Sequence, residues 1–177
     1  MRRFTLLAAA AALVACSPPS QQKTEAPPAE PPVVVAACNS VTPDMTKPVR
    51  LGAEPVAVAA LPPELPGGPI APGTYDLISG NVADGAPEWT NDRFVALDVS
   101  ESNAGVAFNY AAAAPGAETE RWTASFHQGP PSQIQYTCGH EGTADIVFAA
   151  SGTNELRLRL PDPSGTGAQV LLFVRRG

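Results

Sequence analysis

The residues best equipped for chemistry sit together in Cys138-Gly139-His140-Glu141. A thiolate, an imidazole and a carboxylate in four residues suggest a metal site. Zinc, however, needs three or four protein ligands, and His127 is the only other histidine. A cysteine held in a disulfide is no ligand at all. The stretch therefore reads as a turn that happens to carry His and Glu, with no metal and no cofactor. Carboxylates are plentiful, but Asp98, Glu118, Glu120, Asp145 and Glu155 fall at strand ends or on alternate, outward positions. Solvation is the default there, whereas acid–base work needs a cleft that shifts a pKa. The chain has no Gly-x-Ser-x-Gly elbow, Gly-rich phosphate loop or His-Glu-x-x-His helix. The reading is non-enzymatic, with no catalytic residues. The densest positive cluster is Arg157, Arg159, Arg175 and Arg176. If the last two strands pair antiparallel, these could share one outer surface for an acidic partner; a solvated sheet face is the plainer reading.

The elements that must position these groups are strands. From Gly73 onward, short segments alternate apolar and polar residues and close on turn residues. The segments run over 74–79, 93–100, 106–110, 119–127, 133–138, 144–149, 155–160 and 168–175. Leu156, Leu158 and Leu160 against Arg157 and Arg159 is the cleanest alternation; Ile134, Tyr136 and Cys138 share a face in another. No stretch sustains a 3.6 period. Eight segments with short connections predict an all-β antiparallel meander. A small lipocalin-like up-and-down barrel is the favoured form, because closure removes both edges, and a two-sheet sandwich is the alternative. Such a barrel is filled by side chains or holds one small ligand. The inward aromatics Tyr75, Phe108, Tyr110, Trp122, Phe126 and Tyr136 are the candidate ligand cavity, and equally a candidate packed core.

The chain begins with Arg2 and Arg3, then an apolar run from Leu6 to Val14 that is too short to span a bilayer. Leu13-Val14-Ala15-Cys16 closes it and resembles the lipobox of bacterial lipoproteins. That resemblance implies a signal peptide over 1–15 and acylation of Cys16; the alternative is an ordinary secretory signal cut after Ala15. It also implies a membrane link through lipid, in the cell envelope. Ser17 in place of an aspartate favours the inner leaflet of the outer membrane, facing the periplasm. With Cys16 acylated, Cys38 and Cys138 are left to pair as a disulfide in an oxidising compartment. Residues 16–37 then form a tether rich in proline. It favours polyproline II at about 3.1 Å per residue, and some 20 residues would span roughly 60 Å. Residues 38–72 form a Pro-rich lead-in with one short apolar run, Val56 to Leu61, and residues 73–177 the barrel domain. A net charge of -6 argues against nucleic acid and against docking on anionic lipid.

One further resemblance covers the last quarter of the chain. Gln135-Tyr136-Thr137-Cys138, Ile146-Val147-Phe148, Leu156 to Leu160 and Ser164-Gly165-Thr166-Gly167-Ala168 are similar to the membrane-bound inhibitors of C-type lysozyme. That family implies a periplasmic lipoprotein barrel that engages lysozyme through a serine in the Ser-Gly loop and a lysine in a later Trp-x-Lys-Gly turn. Ser164 matches the first, Arg176-Gly177 stands loosely for the second, and the tryptophan is absent. The expected function is thus a lipid-anchored binding or interaction module. Its partner is a small apolar ligand, or an envelope protein met in the manner of a lysozyme inhibitor.

Overall fold

Alternation of apolar and polar residues in short runs favours half-buried strands, and eight such strands form here. The computed structural model describes residues 37–53, 67–102, 105–151 and 154–177. The signal segment, Cys16, the tether up to residue 36 and the run over 56–61 lie outside the described residues. The strands are β1 (Gly73–Ala83), β2 (Phe94–Ser102), β3 (Gly105–Ala113), β4 (Glu120–His127), β5 (Ser132–Cys138), β6 (Thr143–Ser151), β7 (Glu155–Pro161) and β8 (Ala168–Arg175). Each pairs antiparallel with the next, and β8 returns to β1, so the sheet is a closed up-and-down barrel. The barrel, not the sandwich, is the architecture. The β1–β2, β3–β4, β5–β6 and β7–β8 connections share one end, the upper; β1 starts and β8 finishes at the lower end.

The inward face is the apolar face of each alternation. Tyr75, Leu77, Leu97, Phe108, Leu158 and Phe173 are each 2 % exposed or less. Register irregularities adjust the pattern in two places. A shift between Leu77 and Ser79 re-phases β1, after which Gly80 stands opposite Leu171. A shift between Thr123 and Ala124 sets Thr123 opposite Cys138 and Ala124 opposite Tyr136. Thr137 is the extra residue, and it inverts the face of its successor. Cys138 therefore lies on the outer face, not on the inner face with Ile134 and Tyr136 as simple alternation predicts. There it meets Cys38, forming the expected disulfide across a sequence separation of 100.

The lead-in is built into the barrel wall. Its Asn39 amide donates to Tyr110 O at 3.1 Å and Trp122 O at 2.9 Å, and Arg121 donates to Asn39 and to Val41 O. Ala96 and Ala111, on the outward face beside these bonds, are fully buried. Further along, β1 and β2 pair only over Gly73–Asp76 and Ala96–Val99. Residues 49–52 enter the gap above. Val49 exchanges two 2.8 Å hydrogen bonds with Arg93, Trp89 N donates to Leu51 O, and Val82 N donates to Gly52 O. Leu51 is completely buried and joins the core, a burial that contributes about 1.5–3 kcal/mol. Gly80 makes room for it, because a Cβ there would lie 2.7 Å from Leu51 Cδ2. At the lower end, Gly67 pairs with the free edge of β6 through Phe148 O and Ala150 N. Residues 67–72 then run across that end to β1, with Ile70 buried and Ala71 O accepting from Tyr75 Oη at 2.6 Å.

Candidate functional site at the upper mouth

Residues 67–72 cross the lower end, and at the upper end polar side chains extend the inward rows. Strand periodicity decides which ones. Arg93 stands two residues before Val95, Glu120 two before Trp122, and Gln169 two before Leu171. Each therefore continues an inward-facing row to the rim. Arg93 Nη1 lies 3.5 Å from Glu120 Oε2, and His140 Nε2 lies 3.5 Å from Glu120 Oε1. Arg93 also places its guanidinium carbon 4.6 Å from the centroid of the Trp89 ring. His140 is held here by Gly139, whose φ of +85° and contact with the backbone of β4 admit no side chain; a Cβ would lie 2.2 Å from Arg121 O. His140 Nε2 is buried and has no hydrogen-bond partner among the described residues.

Below the rim the aromatic residues form two groups. Tyr110 stacks on Trp122 at 4.7 Å, Trp122 meets Tyr136 edge-on at 5.5 Å, and Tyr136 meets His140 edge-on at 5.1 Å. This ladder crosses β3, β4 and β5 and ends at the mouth. Deeper, Phe108 stacks on Phe126 at 5.0 Å, and Phe126 meets Phe148 edge-on at 5.2 Å. Tyr75 is tied to Ala71 at the lower end. The six aromatics expected to line a cavity thus pack against one another or against the wall, and the upper three also line a depression at the mouth. Burial lifts the hydroxyls of Tyr110 and Tyr136 above their ordinary range, and the neighbouring Glu120 charge acts in the same direction.

Asp162 closes the rim in the β7–β8 turn. It is 7 % exposed and accepts from Ser164 N at 2.9 Å and Gln169 Nε2 at 2.7 Å. Burial alone would raise its carboxyl; those hydrogen bonds outweigh it and hold it below the usual range. Three depressions meet at the rim, and Arg93 and Glu120 line all of them. One of about 330 Å³ runs beside Trp89, Asp162 and Pro163. One of about 250 Å³ lies toward Thr90, Ala112 and Glu118. A small one of about 30 Å³ reaches down to Tyr110, Trp122, Tyr136 and His140.

Simple alternation leaves Glu120 solvated at a strand end and His140 an incidental turn residue. The barrel instead brings both to the mouth beside Arg93. The signal in the sequence is the i, i+2 continuation of the inward rows past the last apolar residue. The arginine cluster does not form one outer surface. Arg159 pairs with Asp84, Arg176 with Asp76, and Arg175 stands opposite the inward Tyr75. Ser164 and Arg176 also stay apart, at opposite ends of β8, about 25 Å of strand. Ser164 serves the Asp162 turn, while Arg176 donates to Asp76 and to Thr42 O on the outer wall. Among the described residues no three His, Cys, Asp or Glu side chains converge as a metal site, and no helix is long and apolar enough to cross a membrane. Comparison with known protein families, curated proteins and solved structures finds no match to this chain.

Proposed function

We propose that this chain is a lipid-anchored protein of the bacterial cell envelope whose barrel is a non-catalytic binding module, with its site at the upper mouth. The observation that carries the reading is the Arg93–Glu120 pair. It stands over open depressions at one end of a barrel whose deeper aromatics already occupy one another's faces. Ligand sites are concave and carry a few convergent polar groups, and this is where such groups converge. The packing of Phe108 on Phe126 weighs against an apolar ligand carried in the interior. The separation of Ser164 from Arg176 weighs against a lysozyme contact made by those two residues. The anchor rests on Leu13-Val14-Ala15-Cys16 and Ser17, which favour acylation of Cys16 and the periplasmic leaflet of the outer membrane. The Cys38–Cys138 disulfide is in keeping with an oxidising compartment.

Two measurements test it. Cells given a radiolabelled fatty acid should label the wild-type chain, and Cys16→Ser should abolish the label; label that persists in the variant removes the anchor. For the site, the small-molecule fraction of a periplasmic extract is added to the ¹⁵N-labelled chain. Shifts at Trp89, Arg93 and His140 are expected. Shifts confined to Phe108 and Phe126 would return the site to the interior.

A further inference from the structure

Resting on that reading of the mouth, we propose that the ligand presents a primary ammonium group to the pocket formed by Glu120, Tyr110, Tyr136 and His140. The pocket is short of donors. Glu120 has Arg93 and His140 each at 3.5 Å, yet neither makes a directed hydrogen bond to it among the described residues. His140 Nε2 is buried and makes no hydrogen bond among the described residues, although it lies 3.5 Å from Glu120 Oε1; an ammonium bound beside both would select the tautomer with its proton on Nδ1, in which Nε2 accepts. The Tyr110 and Tyr136 hydroxyls lie close enough to Glu120 for its charge to act on them, and they accept as well as donate. Of these residues only Arg93 is a fixed donor, and it is turned toward the Trp89 face and Glu120. The pocket therefore has a surplus of acceptors.

Size and charge narrow the class. The inner space of about 30 Å³ holds a single water-sized group, the size of an –NH₃⁺ with three N–H donors. Across the three depressions, Glu88, Glu118, Glu120 and Asp162 stand against Arg93. That balance repels an anion and favours a cation. The body of the ligand would lie in the larger cleft between Trp89 and Pro163.

Three four-carbon probes test this by NMR on the ¹⁵N-labelled full chain: 1,4-diaminobutane, 1,4-butanediol and succinate. The diamine should give saturable shifts at Gly139, His140 and the Trp122 indole, while the diol and the diacid should not. Glu120→Gln should weaken the diamine about tenfold, the loss of one charge-assisted hydrogen bond. Tyr136→Phe, which keeps the ring and the fold, should weaken it measurably. Asp145→Asn, a carboxylate on the outer face of β6 bonded to Gln133, should leave binding unchanged. Equal binding of the diol or of succinate at these residues overturns the amine while leaving the mouth as the site. So do mouth shifts from the periplasmic extract with none from the diamine. Silence at the mouth with both extract and probes overturns the amine and the mouth together.

Discussion

The carboxylate of Asp76, on the outside of β1, accepts two hydrogen bonds from Arg176, one hundred residues later in the chain, at 2.6 and 2.9 Å. Lys47 of the lead-in donates to its other oxygen at 2.8 Å. One buried acid thus joins the lead-in, the first strand and the chain beyond the last. Burial alone would raise this carboxyl; the hydrogen bonds from Arg176 and Lys47 outweigh it and hold it below the usual carboxylate range. A depressed folded-state value means that the stabilisation is complete above the unfolded value, near 3.9. It is lost as pH falls through the lower, folded value. Asp162 acts in the same sense. Urea midpoints should therefore be flat with respect to these groups above about pH 5 and fall below about pH 4. Asp76→Asn should lower stability at pH 7 by about 1–3 kcal/mol, a figure kept modest by the solvent around its partners. It should also make the acid decline shallower. An unchanged acid limb in the variant would show that Asp76 does not carry it.

Removal of the Cys38–Cys138 disulfide should cost about 4–5 kcal/mol, the chain-entropy value for a loop of this length. Cys38→Ser with Cys138→Ser should lower the urea midpoint accordingly without changing the far-ultraviolet spectrum of the barrel. A loss below about 1 kcal/mol would mean that Asn39 and Arg121 hold the lead-in without help.

Leu51 fills the core from a segment that carries no named strand. Leu51→Ala should destabilise by about 2–5 kcal/mol, the range for a fully buried leucine. Arg50→Ala, one residue earlier, removes an exposed pair with Asp92 and should cost no more than about 1 kcal/mol. Equal effects would refute the inserted position of 49–52.

Gly139→Ala should disturb the mouth selectively. Its φ of +85° is costly for any side chain, and the new methyl meets β4 backbone. A loss of about 1–3 kcal/mol is expected, together with displacement of the His140 and Trp122 resonances. Gly142→Ala, in the same turn with φ +83° but open space around it, should cost less and leave the Trp122 resonance in place.

The barrel itself is legible because alternation survives in single strands: Leu156, Leu158 and Leu160 need no partner to declare their face. The disulfide is legible from the number of cysteines together with the oxidising compartment that the lipobox resemblance implies. The illegible features depend on relations between distant residues. Nothing local in Thr137 announces the bulge that turns Cys138 outward, since a register shift is a property of two strands. Val49 and Leu51 sit among prolines, and only the splaying of β1 from β2 creates the slot that they occupy. The mouth is hidden for a related reason. Arg93, Glu120 and His140 come from a loop end, a strand start and a turn, and closure of the barrel alone makes them neighbours. Ser164 and Arg176 are close in sequence but are held apart by the length of β8.

The insertion of residues 49–52 between β1 and β2 also has a meaning in time. These residues are synthesised before any strand of the barrel, yet their hydrogen-bond partners are Arg93, Trp89 and Val82. Loop closure must precede the reward for such distant contacts. A segment made before β1 therefore cannot settle until the chain has been made through Arg93, and it closes the gap between β1 and β2 from the far side of some forty residues.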